Sequence, residues 1–358
     1  MKRLVAVVAV AVGGALLMGT GNPEDAKLLE EARKYFKPLP EVAQSKDNPV
    51  TPEKVRLGKM LYYEPRLSKS GLISCNTCHN LATYGVDNLP TSVGHRWQIG
   101  PRNAPTTLNA AIHVAQFWDG RAKDVEEQAK GPILNPIEMA MDSPEEVVKR
   151  LSSIPEYVEL FKKAFPHEKN PLNYENVAKA IAAFERTLMT PSRFDKFLKG
   201  DVNALTKKEK KGLKTFIEVG CAGCHNGPAV GGRMFTRFGI VEAYWDATRE
   251  YVTLEKPTMP MDVGKFAVTH REEDLYVFKV PSLRNVTRTY PYFHDGSVWN
   301  LEDAIQVMAK VQLGKELSKS QVESITAFLR TLEGEIPRYA LELPVLPPST
   351  NSTEKPVR

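Results

Sequence analysis

The sequence predicts a mainly α-helical chain made of two similar halves joined by long irregular segments. Three observations predict it: helix-start signals recur along the chain, one five-residue cysteine and histidine motif occurs twice, and each copy follows a helix-forming stretch. The start signals are Thr51 before Pro52, the box Ser143-Pro144-Glu145-Glu146, Thr206 with Glu209, and Ser320 with Glu323. After Ser320, the apolar residues Val322, Ile325, Phe328, Leu329 and Leu332 recur at helical spacing and stop at Gly334, which reads as a core-facing helix.

The stretches preceding the two motifs run over 52–63 and 207–219. Between helices lie Gly-, Pro- and Asn-rich segments, 84–109 and 226–300, longer than ordinary connections. We place a first domain at 22–200 and a second at 201–343, with the boundary in the charged, Gly-containing segment from Asp195 to Asp201. The tail over 344–358 is rich in Pro, Ser and Thr and is expected to be disordered.

Residues 1–21 read as a secretory signal. Met1-Lys2-Arg3 is a positive start, Leu4 to Met18 is uncharged and apolar, and small Gly19 and Gly21 suit cleavage after Gly21. A membrane anchor is the competing reading, but the run falls short of the roughly 20 residues that span a bilayer. No later segment is apolar enough to cross one, so export without stable membrane insertion is expected. The net charge of +5 over 358 residues leaves no nucleic-acid footprint.

In an exported protein spare thiols tend to oxidise, so the placement of the four cysteines is informative. They form Cys75-Asn76-Thr77-Cys78-His79 and Cys221-Ala222-Gly223-Cys224-His225, with none left over. C-x-x-C-H is the attachment signal of a c-type haem: two thiols bond the porphyrin and the next imidazole ligates iron. A thioredoxin-like pair has no use for the following histidine, and a zinc site would need both cysteine pairs, or further partners, close together. The spacing thus predicts two haems, with His79 and His225 proximal, in two cytochrome c-like domains whose long loops wrap the haems. It leaves the opposite face of each iron open. His95, His113, His167, His270, His294 and several methionines are all candidates.

From about residue 52 to 335 the chain resembles the bacterial di-haem cytochrome c peroxidases. The matching segments are Leu57-Gly58-Lys59-Met60-Leu61, Pro65-Arg66-Leu67-Ser68, Gly100-Pro101-Arg102-Asn103-Ala104-Pro105-Thr106 and Phe117-Trp118-Asp119-Gly120-Arg121-Ala122. They continue with Gly131-Pro132, Asn135-Pro136, Glu138-Met139, Phe278-Lys279-Val280-Pro281, Leu283-Arg284-Asn285 and the run from Tyr290 to Gly296. The resemblance implies a peroxidatic N-terminal haem and an electron-accepting C-terminal one. His95 falls at the removable distal ligand of the first, and Met308 at the distal ligand of the second, where a thioether favours ferrous iron.

The same resemblance implies that Glu138 is the acid and base for peroxide, with Gln128 orienting it, and that Trp118 lies between the haems. Asn103, with the carbonyls of Thr289 and Pro291, matches an interdomain calcium site. His113, His167 and His270 are left as structural or surface residues and His294 as a neighbour of the C-terminal haem. The expected activity is periplasmic reduction of hydrogen peroxide to water, with electrons from a small cytochrome c or cupredoxin, by a homodimer. Two other readings are a MauG-like oxidase of a partner protein, whose tyrosine stands where this chain has Met308, and a non-catalytic two-haem electron carrier.

Overall fold

A computed structural model describes residues 22–251 and 261–357; the expected signal peptide lies outside the described residues. The helices are α1 (Pro23–Tyr35), α2 (Pro52–Tyr62), α3 (Cys75–Cys78), α4 (Val125–Leu134), α5 (Pro144–Ser152), α6 (Pro155–Ala164), α7 (Tyr174–Glu185), α8 (Arg193–Leu198), α9 (Lys207–Val219), α10 (Tyr244–Thr248), α11 (Phe266–Thr269), α12 (Leu301–Leu313), α13 (Lys319–Arg330) and α14 (Arg338–Leu341). Thr51, Ser143 and Thr206 cap α2, α5 and α9 by accepting from backbone N–H groups in the first turn, which satisfies donors that have no intrahelical partner. The start expected at Ser320 falls two residues earlier. Ser318 is the cap of α13, in a reciprocal box with Gln321.

Two hydrophobic cores result. In the first, Leu57, Leu61 and Tyr62 of α2 meet Tyr157 and Phe161 of α6 and Ile181 and Phe184 of α7. In the second, Leu213 and Phe216 of α9 meet Ile325, Phe328 and Leu329 of α13 and Phe194 and Phe197 of α8. One device recurs in both. A Cβ on Gly58 would stand 1.8 Å from the carbonyl oxygen of Ala180, and one on Gly212 1.8 Å from that of Ser324. Only glycine therefore lets α2 lie on α7, and α9 on α13, at this distance. The helix pair that precedes and braces each C-x-x-C-H segment is the same construction made twice.

The packing units do not follow the sequence halves. Leu29 and Ala32 of α1, with Phe36, belong to the second core, where the Phe36 ring meets Phe194 edge-on at 5.3 Å. The segment 193–198, assigned to the first domain from its charge, is α8 and packs there too. Conversely Ala340 of α14 is buried in the first core, and Ile336 and Leu346 pack against it.

The tail expected to be disordered is fastened to the first unit. Arg66 Nη2 donates to the Pro347 carbonyl at 2.8 Å and the Val357 N–H to that of Lys69 at 3.0 Å, and just ahead of the tail the Tyr63 hydroxyl donates to the Ala340 carbonyl at 2.8 Å. Composition alone predicted disorder because it does not register these long-range partners. Each unit is thus closed by a strap from the opposite end of the chain.

A buried polar seam joins the units. Asn109 Nδ2 and Asn285 Nδ2 both donate to Thr190 Oγ1, at 2.8 and 2.9 Å, and Asn285 Oδ1 accepts from the Gly334 N–H. The long segment 226–300 is not all loop: β1 (Phe235–Arg237) pairs antiparallel with β2 (Val277–Lys279), and α10 and α11 lie between them in sequence. Among the described residues, no helix is long and apolar enough to cross a membrane.

Candidate functional site

Both C-x-x-C-H segments form a single tight turn in which the histidine N–H donates to the first cysteine's carbonyl, at 2.9 Å for His79 and 3.0 Å for His225. Cys221, Cys224 and His225 line one cavity. The four cysteines are unpaired with one another. Burial pushes the thiols of Cys78 and Cys221 up to about 11, and those of Cys75 and Cys224 also upward, so they are not thiolate redox pairs at neutral pH. Burial lowers both histidines, His225 to about 4, and leaves each imidazole neutral. The buried Nδ1 atoms have no hydrogen-bond partner, and the backbone of Pro105 and Gly85 lies near the His79 ring, that of Pro281 and Val230 near the His225 ring. A haem would take one ring nitrogen of each histidine as its ligand. Neutral imidazoles beside paired buried thiols fit a covalently held haem.

Around His225 the fit extends to the pocket. A predominantly apolar cavity is lined by Cys221, Cys224, Phe216, Leu283, Ile305 and Leu329, and Met308 of α12 lines it as well. Trp118 enters the same cavity, its Nε1 donating to the Asn103 carbonyl at 2.9 Å. The indole meets the His294 ring edge-on at 6.3 Å. His294 itself is buried, stacked on Phe278 at 4.4 Å and within 3.2 Å of the Tyr244 hydroxyl. Asn103, Thr289 and Pro291 also line this cavity.

On the N-terminal side, Tyr62 fixes the motif by donating from its hydroxyl to the His79 carbonyl at 2.6 Å. His95 is buried although its neighbours are not: Trp97 is 84% exposed. The His95 N–H sits 2.8 Å from the Glu138 carbonyl and 2.9 Å from that of Ile137. A Cβ on Gly94 would stand 2.0 Å from the Ile137 oxygen, so glycine is what allows the two strips of backbone to touch. Arg96 and Trp97 both have positive φ, at 53° and 61°, a conformation costly for residues with side chains. Burial raises the Glu138 carboxyl above its ordinary range, with Arg121 and Asn135 opposing.

The structure therefore brings Glu138 and His95 together, and groups Trp118, Met308 and the three calcium candidates around the His225 motif. It does not join Gln128 to Glu138: Gln128 lies half-buried on α4, and no hydrogen bond links their side chains. His167 and His270 are exposed, but His113 is fully part of the cavity wall.

Two residues escaped the sequence reading. Arg121 reaches from the Trp118 segment toward Glu138, with its guanidinium carbon 3.5 Å above the Phe117 ring. Arg102 ties Asp119 to Asp262, each at 2.6 Å. A repeat could have flagged the region. Phe117-Trp118-Asp119-Gly120 and Phe293-His294-Asp295-Gly296 share a positive φ at their phenylalanine and glycine, and their second residues are the two rings in contact.

Two c-type motifs, each braced by the same helix pair, define a di-haem cytochrome. The comparisons narrow the class. Residues 52–203 match the family model for di-haem cytochrome c peroxidase. The chain is 49% identical over 348 residues to the cytochrome c551 peroxidase of Pseudomonas aeruginosa, covering 96% of this chain and 97% of that one. It is 50% identical over 311 residues to that of Nitrosomonas europaea, covering 86% and 88%. The methylamine utilization protein MauG of Methylorubrum extorquens is more distant at 36%, with 94% and 92% covered. Among solved structures, a MauG-like protein associated with microbial copper homeostasis superposes with a TM-score of 0.72 at 28% identity, over 86% of this chain and 97% of that one. The chain belongs to the di-haem cytochrome c peroxidase family: it is a cytochrome-c peroxidase with two c-type haems in a mainly helical fold.

Proposed function

We propose that this enzyme works in the periplasm, reducing hydrogen peroxide to water with electrons delivered singly by a small cytochrome c or cupredoxin. The observation that carries the reading is the contact between His95, held on a strained exposed turn, and Glu138, a carboxyl whose proton affinity is raised by burial. Bound haem would supply the iron that takes a peroxide oxygen and the electrons that split the O–O bond, with His79 and His225 as proximal ligands.

The chain's own residues divide the remaining work. His95 would be the removable ligand of the N-terminal haem, and movement of its turn would admit peroxide. Glu138 would take a proton from one peroxide oxygen and return it to the departing one; with two further protons from solvent and two electrons, the products are two waters. Gln128 is assigned to orienting peroxide or water rather than Glu138 itself, in keeping with their lack of a hydrogen bond. Met308, on a regular helix, would hold the C-terminal haem as its fixed second ligand. Trp118 provides an aromatic step for electrons, supported by its place in the C-terminal cavity and by Arg121, which links its segment to Glu138.

Asn103, with the Thr289 and Pro291 carbonyls, is assigned to calcium, supported by their sharing one cavity wall. Homodimerisation is part of the same reading. The test is peroxide consumption by the purified haem-loaded protein, half-reduced with calcium present and supplied with reduced small cytochrome. Two cytochromes oxidised per peroxide is the expected result. No turnover, with both haems remaining six-coordinate and unable to bind cyanide, would make the protein a carrier instead.

A further inference from the structure

Among the described residues, the large buried cations have oxygen partners, with one exception. Arg284 is paired with Asp195, Arg102 with Asp119 and Asp262, Arg186 with Glu126, and Arg150 donates to the carbonyls of Arg66 and Ser68. Lys279, on β2, is 7% exposed, yet its Nζ meets only Nδ1 of His113, at 3.3 Å. Among the described residues no carboxylate stands within ion-pair distance of it. An ammonium taken out of water without a counter-charge is strongly penalised, so an arrangement of this kind needs an anion that the described residues do not provide.

The surroundings specify which anion. Lys279 and His113 line the cavity that also carries Cys221, Cys224 and His225. His113 packs its ring against Gly232, where a Cβ would come within 2.4 Å of it, and its buried Nε2 has no hydrogen-bond partner. Burial holds this imidazole neutral, well below its ordinary range, so Nδ1 accepts from the ammonium and Nε2 carries the hydrogen. Lys279 is pushed down to about 8 by the same burial and is still mostly charged at pH 7. Two further ammonium hydrogens remain for an oxygen anion. The complement is a carboxylate, which accepts charge-assisted hydrogen bonds on both oxygens.

We propose that Lys279, braced by His113, binds a propionate of the haem attached at Cys221 and Cys224 and holds the positive charge that raises that haem's potential. This rests on the haem reading of the motif. A cation beside the iron disfavours the oxidised, more positive state, so Lys279 favours electron arrival at the His225 side. Its role is to position and polarise; it does not touch peroxide.

Two measurements on the haem-loaded protein test it. In a crystal structure of the wild-type holoenzyme, one propionate oxygen is expected within about 3.2 Å of Lys279 Nζ. Spectroelectrochemical titration of Lys279→Met is expected to lower the reduction equilibrium of the His225 haem about tenfold, a shift of ~59 mV for one electron, with Lys279→Arg restoring most of it. The N-terminal haem should be unmoved.

A propionate directed elsewhere, an unchanged potential in loaded Lys279→Met, or a shift confined to the His79 haem would each overturn the assignment. If Lys279→Met fails to mature, the wild-type structure decides alone. Mass spectrometry separates the levels: no haem on Cys221 and Cys224 defeats the underlying reading, whereas haem present with its propionates away from Lys279 defeats only this inference.

Discussion

In the C-terminal half Met308, on α12, thirteen regular residues long, lines a predominantly apolar cavity. In the N-terminal half His95 begins a 3-10 turn whose next two residues have positive φ. The braces behind both sites are alike, down to Gly58 and Gly212, so the difference lies in what carries the opposing ligand. A side chain on a helix moves only if the helix moves. A side chain on a short strained turn is released by a few backbone rotations, and Trp97 and Ile99, already exposed, present little packing to break. On the proposed reading, one scaffold used twice would give a fixed site and a site that opens.

That contrast can be broken most severely at Glu138. Glu138→Gln removes the proton carrier from the opening site alone; the rate of peroxide reaction is expected to fall by roughly 10²–10⁴. Stopped-flow mixing of half-reduced enzyme with peroxide measures this, and reduction of the His225 side should be unaltered.

The next largest effect tests the rigidity of the C-terminal unit. Asp195 receives both terminal nitrogens of fully buried Arg284, at 2.6 and 2.9 Å, and the Leu39 N–H. Asp195→Asn is expected to cost about 3–5 kcal/mol in denaturant unfolding, as loss of a buried ion partner does. The N-terminal pair Arg186 and Glu126 is somewhat more exposed, and Glu126→Gln should cost less.

Acid should separate the two carboxyls in opposite senses. Burial would raise Asp195, but the Arg284 guanidinium overrides it and holds the group below its ordinary range. The stability this contributes is present above the unfolded aspartate range and lost as pH falls through the lowered folded value. Glu138 is raised by burial, so its contribution is complete below the unfolded glutamate range and lost as pH rises through the raised value. Unfolding of the wild type and the two variants across pH 2–7 should show Asp195→Asn flattening the acid limb and Glu138→Gln leaving it in place.

The smallest expected stability effect is at His95. His95→Gly should change stability by no more than about 1 kcal/mol, but the fully oxidised protein should bind cyanide without prior half-reduction. A requirement for reduction that persists in this variant would place the closing ligand elsewhere.

The local features of this architecture were legible in the sequence because their physics is local. Thr51, Ser143 and Thr206 cap helices through bonds spanning three residues, and C-x-x-C-H fixes its own turn. Ser320 misled because Ser318 with Gln321 makes the same box two positions earlier. Whatever depends on distant partners was invisible: Lys279 reads as an ordinary charged residue until its burial against His113 is seen, and the tail reads as a solvated coil until Arg66 and Lys69 are found holding it. The pairing of His95 with Glu138 is intermediate, since each residue was identified by resemblance while their shared backbone contact came only from the fold.

The crossed straps bear on how the molecule is made. Residues 336–357 complete the first core and follow in sequence everything they pack against, so that core is sealed only once this strap has docked. The second core has the opposite order, since α1 precedes in sequence every other element it packs against.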